Sequence, residues 1–221
     1  MLLEIAVFNY RSAEIAAKAG ADRLELCMHY ESAGITPSYG LMKTIKQKIT
    51  IPVFPIIRPR SGNFIYSAAE FEIMKHDIQL AKQLGFEGVV LGLLKKDNTV
   101  DVDRTRQLVT LASPMEVTFH RAFDRTPHAE NALEEIIDCG CKRILSSGQA
   151  ATAIEGKACI GNLVKLAKKR IIIVAGGGVR SSNIQELKVH AKAKEFHSSA
   201  LTKMELTDGE EIKRIKAVLN K

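Results

Sequence analysis

The segment T-F-H-R-A-F-D at residues 118–124 brings an imidazole, a guanidinium and a carboxylate close together. A histidine beside a carboxylate can exchange a proton near neutral pH. We therefore predict that His120 is a general acid or base and that Asp124 orients it, with the permanent charge of Arg121 between them. The competing interpretation is a histidine with an ordinary structural role, which these charged neighbours disfavour.

A second acid–base candidate lies in the segment R-L-E-L-C at residues 23–27. In a β-strand, alternation places Glu25 and Cys27 on one face and the two leucines on the other. Glu25 is therefore predicted to point inward and to transfer protons together with His120. The alternative is a carboxylate that is paired with a basic residue and only fills the interior.

Two arginines in the segment I-I-R-P-R, Arg58 and Arg60, are candidates for binding an anionic group of a ligand. The donor fork of a guanidinium matches the two acceptor oxygens of a carboxylate or phosphate. The alternative is that these arginines neutralise Glu4 and Glu25 inside the protein.

Glycine and serine residues in three later segments predict an anion-binding site. Glycines let backbone N–H groups approach an anion, and the N-terminus of a following helix adds positive potential. The alternative is a glycine-rich turn that serves only the local geometry. The predicted anion-binding residues are Ser147, Gly148, Gln149, Gly176, Gly177, Gly178, His197 and Ser198.

Short apolar runs precede these candidate residues throughout the 221-residue chain and predict eight β-strands. The predicted strands span residues 3–8, 23–27, 52–57, 88–93, 116–120, 143–147, 170–175 and 195–200. Amphipathic segments lie between them, so we predict a single (β/α)8 TIM-type barrel over residues 1–221, with its active site at the C-terminal ends of the strands. An open Rossmann-type sheet is the alternative, although no G-x-G-x-x-G motif follows the first strand.

Several helices carry sequence signals at their ends. Ser67 and Glu70 form an S-x-x-E capping box before a helix that Gly85 ends. Hydroxyl residues before a proline or an apolar run predict further N-caps, at Thr36, Thr126, Ser181 and Ser182. Other helices are predicted at about residues 11–19, 101–112, 152–168, 181–191 and 208–219.

The composition restricts the class of partner. Lys and Arg total 32 against 25 Asp and Glu, which gives a net charge of +7. Because the basic residues are scattered along the predicted helices, we expect a small anionic ligand and no nucleic acid. No apolar run reaches the ~18 residues of a membrane-spanning helix, and no secretory signal precedes the first strand. A cytoplasmic protein is therefore expected.

Taken together, the motifs resemble the CutC family of copper homeostasis proteins over almost the whole chain. The shared segments are GADRLELC (20–27), TPS (36–38), IRPR (57–60), TFHRAFD (118–124), SGQ (147–149), GGGVR (176–180) and EFHSSA (195–200). At residues 61–63 this chain has Ser-Gly-Asn where Gly-Gly-Asp is usual in the family, which removes the basis for a metal-binding or acid role of that loop.

The resemblance implies a cytoplasmic (β/α)8 barrel that forms homo-oligomers and handles a copper ion. Cys27 is then the candidate metal ligand, because Cu(I) prefers soft thiolate donors; the competing interpretation is a buried free cysteine. From the residues alone, the alternative function is an enzyme acting on a small anionic or phosphorylated metabolite.

Overall fold

Parallel strands and helices alternate along the chain, which the computed structural model describes at residues 1–201 and 206–221. The strands within these residues are β1 (Leu2–Val7), β2 (Arg23–Leu26), β3 (Val53–Pro55), β4 (Gly88–Leu91), β5 (Glu116–Phe119), β6 (Arg143–Ser146), β7 (Ile172–Gly176) and β8 (Glu195–Ser198). Each lies within one of the predicted apolar runs or within one residue of it, so the predicted strands are confirmed.

The eight strands form one sheet in the order β3-β2-β1-β8-β7-β6-β5-β4. Strands β3 and β4 meet through a parallel bridge between Ile56 and Val90, and the Ile57 N–H donates to the Val90 carbonyl at 2.7 Å. The sheet is thus a nearly closed barrel, which confirms the predicted TIM-type architecture. The β3–β4 contact joins the two ends of this order, which excludes the open sheet of the Rossmann alternative.

The helices in the described residues pack around this barrel. They are α1 (Tyr10–Lys18), α2 (Tyr39–Lys48), α3 (Ala68–Gln83), α4 (Val102–Ala112), α5 (Ala129–Asp138), α6 (Lys157–Ala167), α7 (Ile184–Ala191) and α8 (Gly209–Leu219). The capping box of α3 is confirmed, with reciprocal hydrogen bonds between Ser67 and Glu70. Within the same residues, none of these helices has the length and apolar character needed to cross a bilayer.

Two predicted threonine caps are wrong. Ser38 caps α2, whereas the Thr36 hydroxyl accepts the backbone N–H of Arg58 at 2.8 Å. Helix α5 begins after His128, and the Thr126 hydroxyl donates to the Phe123 carbonyl at 2.8 Å. In both loops the threonine hydroxyl is hydrogen-bonded to a backbone group outside the helix.

The predicted serine caps of α7 are also wrong, because Asn183 occupies the N-cap position. The Ser181 hydroxyl donates instead to the Glu211 carboxylate of α8 at 2.8 Å. The helix predicted at 152–168 begins later than expected, at Lys157.

The two faces of the strands separate two kinds of core. In β1, Leu3, Ile5 and Val7 are buried against the helices in the main apolar cluster, and each such side chain contributes about 1.5–3 kcal/mol by burial. The alternate residues point to the barrel axis, where Glu4 and Arg23 are almost fully buried. The barrel interior is therefore charged, and its upper end forms the candidate site.

Candidate functional site

The C-terminal ends of the strands surround a cavity of about 1460 Å³. Glu25 and His197 lie among its lining residues, together with Gly177 and Gly178 on the β7 side. Further charged and polar lining residues are Arg58, His120, Arg121, Asp124, Gln149, Arg180 and Ser198. Most of the predicted site residues therefore meet in one place, as expected for a barrel of this class.

A histidine bridges two carboxylates at the bottom of the cavity. His197 Nδ1 lies 2.8 Å from Glu4 Oε1, and His197 Nε2 lies 3.6 Å from Glu25 Oε2. These residues come from the adjacent strands β8, β1 and β2, and their inward direction follows from the strand alternation. Gly176 leaves room for the imidazole, since a Cβ atom there would lie 2.9 Å from His197 Cβ.

The protonation of this triad is set by burial and by its charges. Burial alone would raise the pKa of Glu4, but the charge of Arg23 and the hydrogen bond to His197 outweigh it and lower that pKa to about 2. Burial raises the pKa of Glu25 above its usual range despite the nearby His197. Burial would lower the pKa of His197, but its bond to Glu4 and the charge of Glu25 raise it.

Below the triad, two arginines join the carboxylates of the barrel interior. Arg23 donates to Glu4 at 2.5 Å and to Glu195 at 2.6 Å. Arg143 donates to Glu195 at 3.0 Å and to Glu116 at 2.5 Å. This network fixes the Glu4 carboxylate, and through it the ring of His197.

The turn after β7 forms a glycine-lined wall between two arginines. Gly177 and Gly178 have φ values of 114° and 71°, which favour glycine. A Cβ atom on Gly177 would lie 3.3 Å from Arg121 Cζ. Arg180 donates to the Ser198 hydroxyl at 3.2 Å and to the Val179 and Leu201 carbonyls at 2.7 and 2.9 Å, which ties the turns after β7 and β8 together.

The predicted anion site after β6 is occupied by the protein's own carboxylate. Asp124 accepts hydrogen bonds from the N–H groups of Ser147 and Gln149 and from the Ser146 hydroxyl, at 3.1, 3.2 and 2.6 Å. Gly148 donates to the Ser146 hydroxyl at 2.8 Å. We conclude that the segment 147–149 positions Asp124 and does not present its amides to a ligand.

His120 lies in the cavity wall, but it does not contact Asp124 as predicted. Its Nδ1 accepts the backbone N–H of Ala122 at 3.1 Å. Burial, strengthened by the charge of Arg58, lowers the pKa of His120 to about 3. The imidazole is therefore neutral near pH 7 and has no proton to give as a general acid, and Asp124 does not orient it, because Asp124 pairs with Arg121 at 2.8 Å.

The two arginines of the I-R-P-R segment bind within the protein. Arg58 donates to the carbonyls of Ser32, Gly34 and Gly62 at 2.6, 2.8 and 2.9 Å, and so fixes the loops after β2 and β3. Arg60 turns away from the cavity and donates to Glu70 of α3 at 2.5 Å. The predicted clamp formed by both arginines is not present.

Cys27 is buried beneath the cavity, with 1% of its surface exposed, beside Phe54, Ile56 and Val90. Burial and the charge of Glu25 raise the pKa of its thiol well above the usual range. Among residues 1–201 and 206–221, no three or more His, Cys, Asp and Glu side chains are placed to hold a metal ion.

Sequence reasoning missed the roles of three residues. Glu4 carries a signal, since a carboxylate alternates there with leucine and isoleucine in an apolar strand. Arg180 carries one too, because it lies two residues after the last glycine of the turn. Phe64, whose ring centroid lies 4.8 Å from that of His120, comes from a loop whose sequence gives no such indication.

A family model described as the CutC family matches residues 1–202. The family protein CutC of Chromobacterium violaceum is 49% identical over 199 residues, which cover 90% of this chain and 81% of that protein. The human copper homeostasis protein cutC homolog is 43% identical over 199 residues, covering 90% of this chain and 73% of its own.

Solved structures show the same architecture. A CutC protein from Streptococcus agalactiae, named for copper homeostasis, superposes with a TM-score of 0.87 at 34% identity and covers 91% of this chain and 100% of its own. A phosphoribosylanthranilate isomerase from Pyrococcus furiosus has a TM-score of 0.65 at 13% identity, covering 100% of this chain and 98% of its own. The second likeness shows the fold alone.

Proposed function

The chain belongs to the CutC family, and from this premise we propose that its cavity binds a small anionic ligand and exchanges a proton with it through Glu25 and His197. One observation carries the proposal. A buried acid–base pair lies at the bottom of a cavity whose wall contains two arginines beside a glycine turn. Buried titratable groups with shifted pKa values in a cleft are typical of functional sites.

The anion is proposed to bind at the turn after β7. There the Arg121 guanidinium lies beside Gly177, and Arg180, which also lines the cavity, donates to the Val179 carbonyl and the Ser198 hydroxyl. Charge-assisted hydrogen bonds from guanidinium groups favour carboxylate and phosphate ligands. The turns after strands seven and eight are also where barrels of this class commonly bind phosphate.

Proton exchange is proposed to occur on the Nε2 side of His197. The ionised Glu4 carboxylate lies at Nδ1, 2.8 Å away, and so fixes the ring orientation. Nε2 faces Glu25, whose pKa burial raises above its usual value. A carboxyl group and an imidazole whose pKa values are both raised can share and transfer a proton near neutral pH.

We expect the wild-type protein to bind 2-phosphoglycolate in isothermal titration calorimetry, and Arg180→Gln to weaken binding about tenfold by loss of a charged hydrogen bond. Arg170→Gln is the matched control, because that arginine pairs with Glu134 on the surface. Repeating the titration in buffers of different ionisation enthalpy measures proton exchange on binding, which Glu25→Gln should reduce. Absence of binding by the wild-type protein contradicts the proposal.

Copper handling is the second candidate, because the human relative and the S. agalactiae protein are named for copper homeostasis. The residue that supports copper handling is Cys27, whose thiol lies inside the barrel. Its surroundings do not fit a closed copper site, because burial raises the pKa of the thiol and the described residues place no three or more His, Cys, Asp and Glu side chains around a common point. We therefore derive no copper step.

Competitive Cu(I) titration distinguishes the two candidates. From the raised pKa of Cys27 we expect the wild-type protein and Cys27→Ser to bind Cu(I) equally weakly, with dissociation constants above about 1 μM. Tight binding that Cys27→Ser abolishes would favour copper handling. The predicted cytoplasmic location and self-association stay predictions.

A further inference from the structure

The order of the strands divides the cavity into two unlike halves. In the closed order of eight strands, β1 and β5 are four places apart, as are β2 and β6, and β3 and β7. Each of these pairs therefore lies on opposite sides of the barrel. The charged and glycine-lined wall, from Arg121 to Ser198, belongs to β5–β8 and the loops between them. The loops after β1 to β4 lie across the cavity from it.

This opposite half presents aromatic and aliphatic side chains to the cavity. Phe8 follows β1, Tyr30 follows β2 and Phe64 follows β3, and all three rings line the cavity. Ile56 and Leu94 line the same wall. Among the lining residues that the structure describes, these three are all the Phe and Tyr side chains. The cavity is therefore cationic on one side and aromatic on the other.

The aromatic rings are accessible from the cavity. Tyr30 is 49% exposed, and Phe8 is half-buried beside it. The two rings meet edge to face with their centroids 5.3 Å apart, so at least one face of each ring stays free of the other. Exposed apolar side chains that are grouped in a cleft mark binding sites, whereas isolated ones do not.

We infer that the ligand is an aryl phosphate, a compound in which an aromatic ring is joined to a phosphate. The ring lies against Tyr30 and Phe8, and the phosphate lies across the cavity beside Arg121 and the turn after β7. This inference rests on the proposed function and narrows its substrate class.

The size of the cavity suits a ligand with two parts. Its volume of about 1460 Å³ exceeds what a phosphate alone fills, since pockets for small organic ligands measure about 300–1,000 Å³. Such pockets are lined mainly by apolar and aromatic side chains, with a few polar groups that fix the orientation of the ligand. The two halves of this cavity supply both kinds of wall.

The charges of the aromatic half favour a neutral ring there. Glu31 lines this half, and its side chain is 68% exposed, so its carboxylate repels a second anionic group. Arg58 also lines this half, but it is 5% exposed and donates to three backbone carbonyls. The anionic group is therefore expected at Arg121, whose side chain is 42% exposed.

Calorimetry with phenyl phosphate and inorganic phosphate tests the inference. Both probes carry the phosphate, and phenyl phosphate adds the ring. We expect the wild-type protein to bind phenyl phosphate at least about tenfold more tightly than phosphate, because the ring moves from water to an apolar wall. Tyr30→Ala should reduce this preference about fivefold through the loss of an aromatic contact, and should leave the affinity for inorganic phosphate unchanged.

Two variants control for the ring and for general surface effects. Tyr30→Phe keeps the ring and should bind phenyl phosphate like the wild-type protein. Tyr39→Ala removes a tyrosine of α2 that is 51% exposed and does not line the cavity, so it should change neither affinity. Equal wild-type affinities for the two probes would overturn the inference. A Tyr30→Ala variant that keeps the full preference, or that loses affinity for both probes equally, would do the same.

A second readout locates the ring without a variant. Ile56 lines the aromatic half and belongs to the apolar cluster on which Phe8 packs. In ¹³C-methyl NMR its methyl groups should shift with phenyl phosphate, through the ring current of the probe, and stay in place with inorganic phosphate. Binding of phenyl phosphate without a shift at Ile56 overturns the inference.

The failure of this inference is distinguishable from the failure of the proposed function. If the wild-type protein binds 2-phosphoglycolate but does not prefer phenyl phosphate to inorganic phosphate, the anion site stands and the aryl class is wrong. If it binds none of the three compounds, the proposed function fails and the inference fails with it.

Discussion

Replacing Arg23 with methionine is expected to lower the free energy of unfolding by about 3–5 kcal/mol, the cost of breaking a buried ion pair on one side. Arg23 donates to Glu4 at 2.5 Å and to Glu195 at 2.6 Å, and its side chain is 3% exposed. The variant leaves Glu4 with His197 alone and Glu195 with Arg143 alone. Methionine occupies a similar volume, so most of the loss comes from uncompensated charge.

Urea unfolding followed by circular dichroism measures this loss. Arg170→Met is the matched control, because Arg170 pairs with Glu134 at the surface, where such a pair contributes about 0–1 kcal/mol. The double variant Arg23→Met/Glu4→Gln should be more stable than Arg23→Met, since it removes one of the stranded carboxylates. A loss in Arg23→Met no larger than that in Arg170→Met would show that the network does not stabilise the barrel.

The second large effect is the pH dependence of stability at Glu4. Arg23 and His197 lower the pKa of this carboxyl from its usual 4.5 to about 2, a difference equivalent to about 3 kcal/mol. Because the folded-state pKa is the lower one, the contribution is complete above about pH 4.5 and is lost as the pH falls toward 2. The barrel is thus expected to be acid-sensitive through this residue.

Glu4→Gln isolates this contribution. Urea unfolding at pH 7, 4.5 and 3 gives the free energy of unfolding of both proteins. The wild-type value should exceed that of Glu4→Gln most at pH 7, and the difference should shrink as the pH falls. Glu72→Gln, on the exposed face of α3, is the control. A wild-type advantage that stays constant down to pH 3 would contradict the assignment.

The contribution of His197 to stability has the opposite pH dependence, because it is lost as the pH rises. Its pKa is raised in the folded protein, above the usual 6.5, by its bond to Glu4 and the charge of Glu25, against the effect of burial. Its contribution is complete below pH 6.5 and is lost as the pH rises through the folded-state pKa. Glu4 and His197 together therefore stabilise the folded protein most between about pH 4.5 and 6.5, where both side chains are charged in the fold.

The barrel and the location of the site follow from the order of the residues along the chain. Runs such as Leu3, Ile5 and Val7 alternate with Glu4 at the period of a β-strand, and this local periodicity is readable without knowing any partner. The rhythm of strands and helices then predicts the barrel, and the barrel predicts that residues after the strands, such as Glu25 and Gly177, share one cavity.

The contacts between the charged groups, in contrast, depend on the folded barrel. The sequence predicted a contact between His120 and Asp124, but Asp124 accepts the amides after β6 and His120 accepts the backbone N–H of Ala122. His197, predicted as an anion ligand, contacts the carboxylates of Glu25 and of Glu4, which is 193 residues away in sequence. Ion pairing depends on which strands become neighbours, and pKa values depend on burial and charges across the barrel. The local sequence pattern predicts neither the ion pairs nor the pKa values, because both depend on residues that meet only when the barrel closes.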